Sequence, residues 1–378
     1  MASDSECMSK PNPQRPLAFT LLTVGSALLG GCANPVRSGW QAYHSGDPVA
    51  AREKWEVAAV DGNADAQYLV GLMYDEGSGV NEDDAIAAKW YREAAEQGHA
   101  PAQNNLGLLY YKGQGVDQSN DLAAHWFSLA SEQGFAAAQT NRGALFLFGQ
   151  GLSQNHEQAR SLLKLAANQG DAKAQRMLGT VYREGIGVEK DMRQAKSWTE
   201  LSANQDNPAA QYQLGRMYEH GIGAGTELSK AAGLYKASAK QGFAPAQCAL
   251  GWMYLRGKGT AQSDRRGSEW IQRSAEQGLA QAQGALGLLY LEGRGVQQDD
   301  ASAAHWLSMA ADQDFGPAQY NLGLLYVRGR GVVQDELLGR RWIELAAETG
   351  LDEAREKLAA MERDPENAQA SAFLWWVE

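Results

Sequence analysis

One glutamine returns every 36 residues, at Gln67, Gln103, Gln139, Gln175, Gln211, Gln247, Gln283 and Gln319, with no insertion or deletion between them. Its surroundings return too: "AQNNLGLLYYKGQGV" at 102–116 becomes "AQYNLGLLYVRGRGV" at 318–332. A fixed period of this size marks an array of stacked units. Even at 378 residues, the chain then reads as one elongated body whose core is a sum of local interfaces, not as several globular domains.

Each unit divides into two helical patterns around a glycine loop. In residues 100–135 the apolar Ala102, Leu106 and Tyr110 fall at helical spacing, and Gly113 and Gly115 then break the helix. Within the units proline occurs only in a first helical turn, as at Pro101, Pro245 and Pro317, where its missing N–H costs nothing. A second helix opens at a capping slot held by Asp83, Ser119, Asn155, Asp191, Glu227, Ser263, Asp299 and Asp335; all but Glu227 are strong N-cap types. It usually stops at glycine, from Gly98 to Gly350, but at Asp206 and Asp314 the spacing predicts a strained or altered turn.

One further glycine sits inside the first helix of every unit: Gly71, Gly107, Gly143, Gly179, Gly215, Gly251, Gly287 and Gly323. Each costs ~1 kcal/mol relative to alanine, roughly 8 kcal/mol in all. That cost predicts a close helix crossing, with Ala94 and Ala95 of the second helix and their equivalents as the expected counterpart.

These landmarks (AQ…LG..Y..G.GV, then A..W…A, then a glycine stop) resemble the Sel1-like repeat, a relative of the tetratricopeptide repeat. The resemblance covers residues 64–351. Departures are local: Leu162 and Leu234 replace the tryptophan, Phe146 the tyrosine, and Gly267 and Gly339 the second-helix alanine. It implies an all-α fold, a right-handed α/α superhelical solenoid with an extended concave face lined by the first helices. Residues 39–63 read as a truncated leading repeat capped by Asp47 and Pro48, residues 352–363 as a closing helix, and 364–378 as a tail ending in apolar Phe373 to Val377.

Residues 1–31 read as a targeting segment. Lys10 and Arg15 precede the apolar run Leu17–Leu29, and Met8 is an alternative start that removes Asp4 and Glu6. Leu29-Gly30-Gly31-Cys32 resembles a bacterial lipobox, which implies diacylation of Cys32 and a short tether over 32–38. An uncleaved anchor is the alternative, although Gly30, Gly31, Asn34 and Pro35 interrupt a span that needs about 20 apolar residues. Ala33 in place of aspartate points to the outer membrane, periplasmic face, with the cell surface or inner membrane as alternatives.

A net charge of −11, with lysine and arginine never clustered beyond pairs, argues against nucleic acid. After processing, Cys248 is the one thiol besides Cys32, so no intramolecular disulfide or cysteine metal site can form; it is expected on a helix surface. No catalytic motif, P-loop or metal-ligand spacing is present, and His125 and His305 share a repeat position five repeats apart. The expectation is a non-enzyme without cofactor or metal.

What remains is a binding surface for envelope proteins or peptides. Positions stepping as 65, 69, 72, 76 share one helix face. Asn105, Asn141, Asn321, Arg216, Trp252, Arg256 and Arg328 are the candidate contacts there, and Trp252 is the only aromatic at its slot among the repeats. Trp375 and Trp376 are further candidates in the tail. The expected role is a lipid-anchored scaffold broadly like those of exopolysaccharide-export machines. A surface-exposed binder of host protein and a glycan- or muropeptide-processing accessory enzyme are the alternatives.

Overall fold

The computed structural model describes residues 35–223, 225–363 and 373. Among them every element is a helix. A leading pair, α1 (Pro35–His44) and α2 (Pro48–Val60), is followed by α3 (Ala64–Glu76), α4 (Asp84–Glu96), α5 (Ala100–Lys112), α6 (Asn120–Glu132), α7 (Ala136–Phe148), α8 (His156–Asn168) and α9 (Ala172–Glu184). Then come α10 (Met192–Ala203), α11 (Pro208–His220), α12 (Leu228–Lys240), α13 (Ala244–Arg256), α14 (Asp264–Glu276), α15 (Ala280–Glu292), α16 (Asp300–Ala311), α17 (Gly316–Arg328), α18 (Glu336–Glu348) and α19 (Asp352–Arg363). The chain divides into two compact units, the first ending at Asp191 and the second starting at Met192. The fold is the all-α solenoid expected of the repeat, built from paired helices of one 36-residue pattern.

Capping follows the sequence closely. Asp83, Ser119, Asn155, Ser263, Asp299 and Asp335 accept from backbone amides of the helices they open, whereas Glu227 makes no such bond. The first helices end on a left-handed glycine, as at Gly113 (φ 68°). Gly115 serves a different purpose: a Cβ there would strike the backbone of Asp84 and Ala85, so the loop lies flat on the preceding repeat. Asp206 and Asp314 adopt φ 59°, a left-handed turn forced on non-glycine residues, and α10 and α16 are each one residue shorter than their counterparts.

The interior glycines mark a close crossing, but not against the expected partner. A Cβ on Gly71 would lie 2.7 Å from the Tyr91 ring, and one on Gly107 2.8 Å from Phe127. At Gly251 and Gly323 the neighbours are Ile271 and Ile343 together with the carbonyls of Gly267 and Gly339. The counterpart is therefore a large side chain in mid-helix, laid across the groove that glycine leaves. Ala94 and Ala95 are buried further along, and the Ala95 carbonyl accepts from Gln103 of the next repeat.

That glutamine is the repeat's polar rivet. Gln67, only 4% exposed, donates to the Ala59 carbonyl (3.1 Å) and accepts from Gln97 (2.7 Å). It thus ties the end of the preceding second helix to its own first helix and to the end of its own second helix. The same pair of bonds recurs at Gln103, Gln211, Gln247 and Gln283. In the last repeat Thr349 stands where the donor glutamine would be, and Gln319 Oε1 is buried without a partner among the described residues.

The leading unit is fuller than a truncated repeat. Helix α1 begins at Pro35, inside the stretch expected as tether, and Trp55 is fully buried with Nε1 donating to the Val36 carbonyl at 3.0 Å. Gly39 allows this, since any Cβ there would run into the Trp55 indole.

Two stability outcomes follow. Gly215→Leu, which drives a side chain into the Tyr235 ring, lowers unfolding free energy by about 3 kcal/mol, read from denaturant melts; a neutral result removes the crossing as a constraint. Thr349→Gln supplies the missing donor to Gln319, beside a Gly316 that leaves at least the room other repeats give, and raises stability by about 1 kcal/mol; no gain would mean that this acceptor is already satisfied.

Candidate functional site

The first-helix face was expected to offer side-chain amides, and the structure turns those amides inward. Asn141 is buried, donates to Asn104 Oδ1 (2.9 Å) and accepts from Lys173 (3.5 Å). Half-buried Asn105 donates to the Tyr91 hydroxyl (3.2 Å) and accepts from Asn104 (3.2 Å). Asn321 is fully buried. Asn105 and Asn141 are engaged by other helices of the chain, and the enclosed Asn141 and Asn321 have no face left for a partner.

The arginine and tryptophan candidates fare differently. Arg216 is exposed, and Trp252 and Arg256 are half-buried. All three belong to the second unit, on α11 and α13, where the 36-residue register stacks equivalent positions side by side. The Arg256 guanidinium lies over the Trp252 ring, 5.1 Å from its centroid. It makes no hydrogen bond or ion pair with any described residue. Burial lowers its affinity for the proton, with Glu219 opposing and Arg294 reinforcing that effect.

Around this pair the structure assembles residues that the sequence did not single out. The Tyr235 hydroxyl donates to Glu219 Oε2 at 2.7 Å, and the Tyr235 and Tyr212 rings lie 5.6 Å apart. Burial raises the Tyr212 phenol above its usual range, and the neighbouring Arg216 partly offsets this. Cys248, near Tyr212, is buried rather than on the surface, and burial pushes its thiol up to about 12, with the Trp252 side chain as a hydrogen-bonding neighbour. Tyr212, Arg216, Glu219, Cys248, Trp252 and Arg256 thus form one contiguous patch with two guanidinium groups, one indole face and one carboxylate.

A signal for Glu219 lay within the repeats themselves. Glu219 pairs with Tyr235 as Asp75 pairs with Tyr91 (3.3 Å), sixteen residues apart in both. Where the second position is Leu163, Ile271, Leu307 or Ile343, the first is Leu147, Leu255, Leu291 or Val327. An acid appears at that slot only with a tyrosine to satisfy it.

Arg328 contacts Phe373, its guanidinium 4.8 Å from the ring centroid. Cys32, Trp375 and Trp376 lie outside the described residues. Among the described residues no group of three His, Cys, Asp or Glu could hold a metal ion, and no helix is long and apolar enough to cross a membrane. The patch offers cation–π, hydrogen-bonding and apolar contacts, the chemistry of recognition.

Comparison with known proteins bears on the same point. The Sel1 repeat matches eight consecutive windows: 64–99, 100–135, 136–171, 172–207, 208–243, 244–279, 280–315 and 316–351. Among solved structures, c5321, described as a protective antigen of uropathogenic Escherichia coli displaying an SLR fold, is 30% identical with a TM-score of 0.56, covering 86% of this chain and 79% of that one. A Sel1 repeat protein from Oxalobacter formigenes is 27% identical with a TM-score of 0.59, covering 91% and 99%. The search of curated proteins gives no match. Proteins built on this repeat generally mediate protein–protein interaction and are typically non-catalytic scaffolds. With every unit from Ala64 to Leu351 matched, the chain belongs to the Sel1 repeat family.

Proposed function

We propose that this protein is a non-enzymatic adaptor, diacylated at Cys32 and held at the periplasmic face of the outer membrane, that receives a segment of an envelope protein on the Tyr212–Arg256 patch. The observation that carries the binding site is the state of Arg256. Its guanidinium is half-buried against Trp252 without an acceptor among the described residues. Its neighbour Arg294, by contrast, is tied to Asp264 (3.0 Å) and to the Leu255 carbonyl (2.5 Å). A preorganised cation on an aromatic floor, flanked by exposed Arg216, suits a partner that brings a carboxylate and an apolar group together. The Leu29-Gly30-Gly31-Cys32 stretch supports the anchor.

The relative from uropathogenic Escherichia coli is described as a protective antigen, which favours a second reading, exposure at the cell surface. Protease treatment of intact cells decides between them: the periplasmic protein survives, the surface protein is cleaved.

Placing a photo-crosslinking residue at position 216 and irradiating cells yields a discrete protein adduct. Trp252→Ala weakens its formation by about 30-fold, the loss of roughly 2 kcal/mol expected of an aromatic anchor, while the melting temperature of the protein is kept. An adduct indifferent to Trp252→Ala would place the partner elsewhere. Cys32→Ser releases the protein into the soluble periplasmic fraction; retention of that variant in the membrane fraction would remove the lipid anchor.

A further inference from the structure

The face that carries Trp252 on α13 continues onto α15 and α17, where its positions are Leu288 and Leu291, then Tyr320, Leu324 and Val327, all buried. Exposed Glu292 and half-buried Arg328 border these apolar positions. Half-buried Phe373 packs on the two apolar clusters to which the buried residues belong. Its ring lies beneath two guanidinium groups, Arg328 at 4.8 Å and Arg330 at 5.5 Å from the centroid. Arg330 is itself fixed, donating to Asp300 Oδ2 (2.8 Å) and to the Leu291 carbonyl (2.9 Å). Lys357, on the equivalent face of α19, is only 4% exposed, and burial together with nearby Arg328 lowers its pKa.

Arg256 and Arg328 occupy the same slot two repeats apart, and no other repeat has arginine there. In the repeat of α13 the aromatic partner is built in, four residues back, as Trp252. In the repeat of α17 that position is Leu324, and the aromatic ring comes from residue 373. The two arrangements have one chemistry, a guanidinium on an aromatic face over an aliphatic floor, but the second is completed by a chain segment arriving from outside the repeat.

We infer that the α15–α17 face is an acceptor site for the aromatic side chain of an extended peptide segment, and that Phe373 of the protein's own tail is its resident occupant, which a partner segment displaces. The inference deepens the binding role proposed above by naming the ligand class, and it adds competition in cis. Nine residues separate Arg363 from Phe373, ten chain steps and up to roughly 35 Å of extended chain, so the tail is held at an effective concentration on the order of millimolar. A segment binding in trans at micromolar affinity must overcome that occupancy.

The test uses the full chain and needs no knowledge of the partner. The probe is a fluorescein-labelled peptide with the sequence of residues 366–376, read by fluorescence anisotropy. Phe373→Ala binds it at least tenfold more tightly than the wild type, and the same peptide with alanine in place of its phenylalanine does not bind. A second readout follows the tail directly: carboxypeptidase trims the tail of Arg328→Ala at least tenfold faster than that of the wild type. Trp252→Ala leaves the trimming rate unchanged, which separates this site from the patch on α11 and α13. Equal peptide binding by wild type and Phe373→Ala, or equal trimming of wild type and Arg328→Ala, overturns the inference. Sedimentation showing a dimer that Phe373→Ala dissolves would also overturn it, by assigning the occupant to a second copy.

Discussion

The buried glutamine is the interaction on which the array depends. A stack of identical helix pairs can slide, because apolar faces are non-directional, and each repeat contacts only its neighbours. An amide enclosed at 4% exposure cannot slide, since a displaced donor or acceptor loses its bond without gaining water, at roughly 1–3 kcal/mol. Gln67 joins Ala59, itself and Gln97, so three consecutive helices share one bond system. Where the pair of bonds recurs, at Gln67, Gln103, Gln211, Gln247 and Gln283, it acts as a ruler that holds neighbouring repeats to one geometry, in a chain whose period of 36 runs through eight units without an inserted residue.

A fixed ruler concentrates freedom elsewhere. The first helices bury one broad face, the loops lie on backbone, and Gly71, Gly107, Gly143, Gly215, Gly251, Gly287 and Gly323 each admit one large ring or branched chain. Variation is left to the face that carries Arg216, Trp252 and Arg256. There the chain departs from aliphatic filler in a correlated way, acid with tyrosine at 75 and 91 and at 219 and 235, leucine with leucine at 147 and 163. A carboxylate is tolerated half-buried because the phenol hydroxyl satisfies it. In the second unit the result is a polar patch on α11 and α13 and an apolar floor on α15 and α17, within one regular scaffold.

Much of this was legible in the sequence for a physical reason: turns and caps are local. Gly113, Asp83 and Asp314 announce their backbone conformation through their own chemistry, whatever packs around them. The misjudged residues are those whose environment is set by another repeat. Asn141 and Asn321 sit on the face that helical spacing assigns to a partner, but the next helix stands close enough to enclose them. Cys248 was expected on the surface for the same reason, and Tyr91 rather than Ala94 fills the glycine groove because the crossing point lies mid-helix. A helix buried on several sides shows no clean apolar stripe, so its sequence does not say which side faces outward. The start of α1 at Pro35 was hidden differently: its reason is Trp55, nineteen residues on from the Val36 carbonyl it holds.

The two ends complete the logic of a structure made of neighbours. Every interior repeat has the start of its second helix covered by the following loop, as Gly331 covers Asp300 and Ala301. The last repeat has no such covering loop among the described residues, and there Val333 and Leu337 place apolar side chains, 86% and 83% exposed, at positions that are exposed in the other repeats as well. Helix α19 covers the first-helix side of this repeat, burying Ala354 and Met361, but leaves the loop side open. The leading end is closed from within by Trp55 against α1. The asymmetry follows from direction: the first end can be sealed by one aromatic because a second helix precedes every first helix, whereas the last end presents a second helix, a loop and a first-helix face at once. One closing helix covers one of those surfaces, and Phe373 beneath Arg328 and Arg330 covers part of another.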